Sequence, residues 1–442
     1  MRNFFRKLHL WVSVPFGTVI TITCFTGALL VFETEITDLC YRPLTSVEPV
    51  GAPIPVDMLV EKVEPLLEDG AEVTGVVVSS VPTVAYKVNI SKPSRSALFV
   101  DQYTGEVKGR YERLPFFDVT RRLHRWLMDT RPKDGGVYWG KTIVGVSTLA
   151  FVVILLSGLV IWWPLNRKMF RNRMQIVVCK GWNRFLHDVH VTGGFYVLML
   201  LLAMTLTGLT WSFEWYKDGF YTMLGVETSL NAVKDAALKE DATKKHAADV
   251  APIAVDSISV VNYGEATLLA DAVSSATVKT DAISSATVKT DAVSSATTKA
   301  DAVTSATLQA DVMTGATMLA GNVEPQYVWQ AALDAVAEMT PDYETITISD
   351  GMVTVAQKGF GNKRAYDKFV FNEDTGEIVS EELYGDSPYS SKVAGWVRTV
   401  HVGSWGGVVS KVLYFLAALL GATLAPTGYY FWIRRLYLKR RK

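Results

Sequence analysis

The chain has 442 residues, 49% of them hydrophobic, and its 44 Lys and Arg balance its 44 Asp and Glu. A net charge of zero gives no electrostatic case for a nucleic-acid partner. The apolar residues gather in four long runs, which puts the protein in the membrane class.

The first run, residues 10–32, is long enough to cross a bilayer and follows Arg2, Arg6 and Lys7. It is too long for a signal peptide and no small-residue cleavage site follows, so it reads as a retained anchor. Residues 34–138 predict a small α+β domain: an amphipathic helix over 56–68, strands near 72–79, 83–90 and 96–100, then a Thr-Gly-Glu turn within 101–107. A second span is expected over 141–163, a basic loop over 164–190 and a third span over 191–213. A second α+β domain is expected over 325–385, with a helix over 325–338, strands near 344–349, 351–357 and 366–371, and another Thr-Gly-Glu turn within 372–378. The fourth span is expected over 411–433. The N-terminus, the 164–190 loop and the tail beginning Arg434-Arg435 carry the clustered basic residues. By the positive-inside rule both termini are then cytoplasmic, and the two long segments 34–138 and 214–410 lie outside the membrane.

The layout is an internal duplication. His9 precedes Thr26-Gly27 as His190 precedes Thr207-Gly208, with 18 residues from histidine to glycine in each, and Phe-Glu follows at positions 32–33 and 213–214. Ser157-Gly158 with Trp162 matches Thr427-Gly428 with Trp432. The unit is span, outer domain, span, used twice. Residues 220–320 break the symmetry, being present in the second copy only. They are rich in Ala, Ser, Thr, Asp and Lys and carry too few large apolar residues to build a core.

Within that insert, residues 271–317 repeat every ten: DAVSSATVKT, DAISSATVKT, DAVSSATTKA, DAVTSATLQA, DVMTGAT. Asp recurs at 271, 281, 291, 301 and 311, and Thr six places later at Thr277, Thr287, Thr297, Thr307 and Thr317. Such an array reads as identical attachment or binding units rather than a packed core. The threonine hydroxyls offer sites for esterification, whereas a flexible linker or a handle for glycosylation is the plainer reading of the composition.

Three cysteines, Cys24, Cys40 and Cys179, are scattered with no C-x-x-C spacing and predict neither a disulfide framework nor a zinc site. Six histidines remain. His246 sits in the polar insert as a solvated residue. His9 matches His190 at the cytoplasmic ends of spans one and three, and His124 matches His401 at the outer ends of spans two and four. A pseudo-two-fold arrangement lets each pair face across the axis, as two imidazoles do around a six-coordinate haem in a membrane bundle. Two pairs near opposite faces predict two haems. His187, three residues before His190 and on about the same helix face, is a spare ligand or a supporting group. A single histidine at a membrane interface is ordinarily only an interfacial polar residue; two symmetry-matched pairs are not explained that way.

LHRWL at 123–127, SGLVIWWP at 157–164, LHDVHVTGGFY at 186–196 and HVGSWGG at 401–407 resemble the motifs of PepSY-associated transmembrane proteins, and the Thr-Gly-Glu turns are similar to those of PepSY domains. The resemblance covers nearly all of the chain outside 220–320. Members with this layout include ferric-siderophore reductases of the bacterial inner membrane, which implies b-type haem and electron transfer across the bilayer. It supports His9, His124, His190 and His401 as the motif histidines without fixing their pairing. The decapeptide D-x-x-[ST]-[SG]-A-T in turn resembles the recognition motif of ApbE-type flavin transferases. That implies FMN linked through its phosphate to Thr277, Thr287, Thr297, Thr307 and Thr317, up to five in all. The usual motif often has Gly after Asp and at the fifth place; here Ala or Val and, in four units, Ser stand there.

The expectation is therefore a multi-pass electron-transfer protein or oxidoreductase of the bacterial cytoplasmic membrane. It has four transmembrane helices, two small extracytoplasmic α+β PepSY-like domains, two haem b groups and a covalent FMN array. Its partners would be the lipid bilayer, an ApbE-type flavin transferase, a donor such as quinol or a flavoprotein, and an acceptor outside. Neither G-x-G-x-x-G nor G-x-x-x-x-G-K-[ST] occurs, so the chain is not expected to oxidise NAD(P)H itself. The alternatives are a terminal ferric-siderophore or metal reductase and, in another class, a non-redox protein that restrains an outer protease.

Overall fold

A computed structural model describes residues 1–226 and 327–440, apart from 69, 94, 95, 134 and 360. The decapeptide array with its five threonines, His246, most of the 220–320 insert and the first two residues of the second α+β domain lie outside the described residues.

Four long apolar helices form a bundle, each of a length and composition that can cross a membrane. The first is α1 (Arg2–Val31). A short helix α2 (Glu33–Thr45), α3 (Val56–Val63) and α4 (Pro115–Trp126) separate it from α5 (Trp139–Trp162), the second. After α6 (Arg167–Arg173), the third long helix runs from Trp182 to Leu209: α7 (Trp182–Asp188), a π turn (Val189–Gly193) and α8 (Gly194–Leu209). Then come α9 (Glu214–Met223), α10 (Val328–Met339), α11 (Tyr389–Val402) and the fourth long helix, α12 (Gly407–Arg440). Leu149, Val153, Leu156 and Val160, spaced by four, three and four residues, make an outward apolar stripe on α5 that remains exposed. Water would not tolerate such a stripe repeated around a bundle; lipid does. Inside, Ile20, Phe151, Leu155, Leu198 and Leu201 pack together from three of the helices.

Each half also builds four strands. The first contributes β1 (Val73–Ser79), β2 (Tyr86–Ile90), β3 (Ser96–Val100) and β4 (Val107–Tyr111). The second contributes β5 (Tyr343–Ser349), β6 (Met352–Gln357), β7 (Tyr366–Phe371) and β8 (Ile378–Glu382). The two Thr-Gly-Glu turns are built alike. Asp101 Oδ1 accepts from the Tyr103 N–H and Asn372 Oδ1 from the Asp374 N–H, both at 2.8 Å. Gly105 and Gly376 then take φ +76° and +75°, which a side chain would disfavour.

The expected pair of α+β domains is in fact one sheet. Its order is β4-β3-β2-β1-β5-β6-β7-β8, and every pairing is antiparallel. The seam is β1 against β5, with Val76 opposite Ile348 and Val78 opposite Ile346. The order reads the same from either edge, so the duplication becomes a pseudo-two-fold axis through the seam. One core serves both halves: Val56, Leu59 and Val63 of α3, Ala332, Leu333 and Val336 of α10, and inward residues such as Val76, Ile346, Ile348 and Phe369. Burying each large aliphatic or aromatic side chain contributes roughly 1.5–3 kcal/mol. The helices also cap one another across the seam. Asp57 accepts from the backbone N–H groups of Trp329 and Gln330 at 3.0 and 2.8 Å, and Gln330 Oε1 accepts from the Val56 N–H at 2.9 Å.

α4 and α11, which carry His124 and His401, are separate from the long helices that follow them. Leu127 and Met128 (φ 51° and 66°) turn the chain out of α4, and Gly403 (φ 71°) turns it out of α11. Both histidines thus lie on short helices laid against the sheet end of the bundle.

Candidate functional site

The histidines meet across the pseudo-axis. The ring centroids of His9 and His190 are 6.3 Å apart, and those of His124 and His401 are 6.4 Å apart. Each ring is held by its own half. His9 Nδ1 lies 3.1 Å from the Ile154 carbonyl and 3.0 Å from Ser157 Oγ on α5. His190 Nδ1 meets the Leu424 carbonyl at 3.0 Å and Thr427 Oγ1 at 2.9 Å on α12. His124 Nδ1 meets the Thr23 carbonyl at 2.9 Å and Thr26 Oγ1 at 3.3 Å on α1. His401 Nδ1 meets the Met204 carbonyl at 2.9 Å and Thr207 Oγ1 at 3.2 Å on α8. The pattern is the same four times: a carbonyl, then a hydroxyl three residues on.

This fixes the tautomer. A carbonyl can only accept, so each Nδ1 carries the hydrogen and each Nε2 keeps its lone pair. The hydroxyls agree, because each donates its own hydrogen to its helix: Ser157 to Ile154, Thr26 to Ile22, Thr207 to Ala203 and Thr427 to Thr423. Among the described residues no hydrogen bond reaches any of the four Nε2 atoms. Neutral imidazole with Nδ1–H bonded to a carbonyl is the form that ligates metals, and the bond raises its basicity.

The next residue in each pattern is glycine, and its missing side chain makes room for the ring. A Cβ on Gly27 or Gly208 would sit 3.0 Å from Cε1 of His124 or His401. On Gly158 it would sit 3.3 Å from His9 Cε1, and on Gly428 3.5 Å from His190 Cε1. The Ser/Thr-Gly pairs that mark the duplication in the sequence are therefore the seats of the four imidazoles. The sequence carried their positions but not this role, because each seat is on a different helix from its histidine.

The pairs occupy opposite ends of the bundle. His9 lies near the start of α1, whereas Thr23 and Thr26, which seat His124, lie near its end. At 1.5 Å per residue that is about 20–25 Å along one helix. His190 lies inside the π turn, a local widening that recurs at functional positions in helices. Burial, then the like charges of Arg125 and Arg121, hold the His124 imidazole down to about 4, against the bond to Thr23. Burial, then His124, hold His401 down to about 3. Both are thus neutral at ordinary pH.

His187 does not join a pair. Its side chain is 54% exposed, its Nδ1 lies 3.4 Å from Asp188 Oδ1, and its ring packs edge-on against Phe431. Asp188 is buried and also takes the Arg184 Nε–H at 2.9 Å and the Val177 N–H at 3.1 Å. Sequence reasoning did not reach Trp211, whose ring stands 5.0 Å from that of His401. Cys24, Cys40 and Cys179 are free thiols.

A family model, PepSY-associated TM region, matches residues 6–435. The chain belongs to the family of PepSY-associated transmembrane proteins. Its match takes in all four long helices, the sheet and both histidine pairs. No curated protein matches the chain.

Whether these pairs fit a haem can be tested on their spacing. A first-row metal–imidazole bond of about 2.0 Å, with the ring centre ~1.1 Å beyond the nitrogen, sets two axial imidazoles roughly 6.3 Å apart between centroids. The observed 6.3 and 6.4 Å meet that value. Among the described residues no group of three or more His, Cys, Asp or Glu could hold a bare metal ion. Two imidazoles suffice only when the other ligands come with the metal, as the four nitrogens of a porphyrin do.

Proposed function

We propose that this PepSY-associated protein conducts electrons across the bacterial cytoplasmic membrane, with one haem b held by His9 and His190 and a second by His124 and His401. The observation that carries this reading is the pair of facing, Nδ1-protonated imidazole couples at the two ends of one bundle. Haem, when bound, supplies one-electron redox chemistry at an iron whose potential is set by its axial ligands and their hydrogen bonds. The protein's share is orientation. Eight acceptor atoms fix four ring planes and four tautomers, and the apolar bundle between the pairs keeps water out.

The reading extends to the insert. Thr277, Thr287, Thr297, Thr307 and Thr317 are the attachment sites for up to five FMN groups, placed there by an ApbE-type flavin transferase on the outer side of the membrane. Flavin there would serve as a reservoir between one-electron delivery and two-electron chemistry. Both termini are cytoplasmic in this reading. In support, the start of α1, the 164–181 loop and the end of α12 fall at one end of the bundle and hold most of the clustered arginines and lysines. The sheet and the insert are then extracytoplasmic. The donor is quinol or a separate flavoprotein, and the acceptor lies outside.

A reduced-minus-oxidised absorption spectrum of the purified protein tests the haems. It should show bis-imidazole b-type bands, and His9→Ala and His190→Ala should each remove the same half of the haem. A protein without such bands, or unequal losses, rejects the assignment. For the array, co-expression with a flavin transferase should give in-gel fluorescence that survives SDS, and intact mass should rise in multiples of FMN. Replacing all five threonines with Val should abolish both.

A further inference from the structure

Each paired histidine has a basic residue one helical turn before it: Arg6 before His9, Arg121 before His124, His187 before His190 and Arg398 before His401. Basic residues at the end holding Arg6 have a ready explanation, since that end carries the basic segments that set membrane orientation. Those at the sheet end do not.

At the sheet end the two copies differ. Arg121 has an acid: its Nη2 is bonded to Glu33 Oε2, and Arg113 Nε reaches Glu33 Oε1 at 3.3 Å. Arg398 is its duplicate, and the acid matching Glu33 is Glu214. That side chain is 81% exposed and lies 3.7 Å from Lys217 instead. Arg398 is half-buried and makes no hydrogen bond or ion pair among the described residues. Burial, then the like charges of Arg364, Arg121 and Arg125, push its guanidinium below its ordinary value, and Glu33 alone opposes them. A half-buried guanidinium among three others is a poor arrangement for the protein alone, and it calls for an anion.

We propose that Arg398 binds a propionate carboxylate of the haem held by His124 and His401. This rests on the haem reading above. Its planar fork suits a carboxylate, and its place one turn from His401 puts it beside that ligand. A lipid phosphate offers the same anionic chemistry, so the test must separate the two.

The test uses the full-length protein carrying His9→Ala and His190→Ala, so that only the sheet-end pair can hold haem. The apo form in detergent is titrated with haem b and with its dimethyl ester, which lacks the carboxylates. With Arg398 intact, haem should bind about ten- to a hundredfold more tightly than the ester. Arg398→Gln should erase most of that preference and Arg398→Lys should keep part of it. Should Arg398→Gln not accumulate, Arg398→Leu, which keeps an apolar stem, carries the same comparison. A preference unchanged in Arg398→Gln overturns the proposal. So does equal weakening of haem and ester, which would assign Arg398 to a lipid phosphate or to the fold. If neither haem nor ester gives a bis-imidazole spectrum with Arg398 intact, the haem assignment itself fails.

Discussion

Thr207 and His401, 194 residues apart in the chain, are joined by one hydrogen bond: the His401 Nδ1–H donates to the Thr207 hydroxyl at 3.2 Å. Thr207→Val keeps the shape and removes the acceptor. The Met204 carbonyl still accepts, so the tautomer survives while the ring loses half of its anchoring. Loss of such a supporting bond ordinarily lowers metal affinity about 10- to 100-fold. Haem titration of the variant should show that drop at the sheet-end pair with the other pair unaltered; full affinity at both would refute the role given to the hydroxyl.

The four glycine seats predict a graded series. Gly27→Ala and Gly208→Ala place a methyl 3.0 Å from the imidazole and should displace it, whereas Gly428→Ala, at 3.5 Å, leaves ordinary contact. Gly158→Ala, at 3.3 Å, falls between. Haem content of the four variants should follow that order. A large loss in Gly428→Ala with none in Gly208→Ala would contradict the geometry.

Acid should spare the sheet-end pair. An imidazole at its usual value of 6.5 protonates below that pH and stops being a ligand, but His124 and His401 are held at about 4 and about 3. A pKa depressed in the folded protein means that the neutral, ligating form persists as pH falls, and that protons compete for Nε2 only near pH 4. In the haem-free His9→Ala/His190→Ala protein, the imidazole NMR signals of His124 and His401 should therefore stay those of the neutral ring between pH 8 and pH 5. Titration of either ring with a midpoint near 6.5 would show that the rings are not buried as described.

Asp57→Ala should loosen the sheet. It strips the cap from the start of α10 and removes a tie across the β1–β5 seam. Loss of a capping carboxylate costs about 1 kcal/mol. Thermal denaturation should begin a few degrees lower, with unchanged haem stoichiometry at 20 °C. An unaltered melting profile would mean that the seam is held by its strands and core alone.

Much of this architecture is readable in the chain itself. Hydropathy locates four spans, although the third long helix begins at Trp182 rather than 191, because the polar turn before it is already helical. The equal offsets from His9 and His190 to their Gly partners foretell which histidines are equivalent. Three things were out of reach. β4 and β8 are short, and most of β8 is exposed, so they lack the alternation that marks a half-buried strand. The β1–β5 seam was hidden because a period of two says that Val76 and Ile348 face a core, but not that their strands are neighbours. The bond from His190 to Thr427 spans 237 residues, and no local pattern encodes it.

Each histidine is seated by its own half and paired with a histidine from the other. One half taken alone would carry both of its seats but complete neither couple, and it would lack the other half of the shared sheet core. Only a second copy beside it, meeting strand to strand where β1 now meets β5, would bring the missing imidazoles into place. Because both copies lie in one chain, each can differ without the other: one carries about a hundred extra residues, and Arg398 lacks the acid that Arg121 has in Glu33.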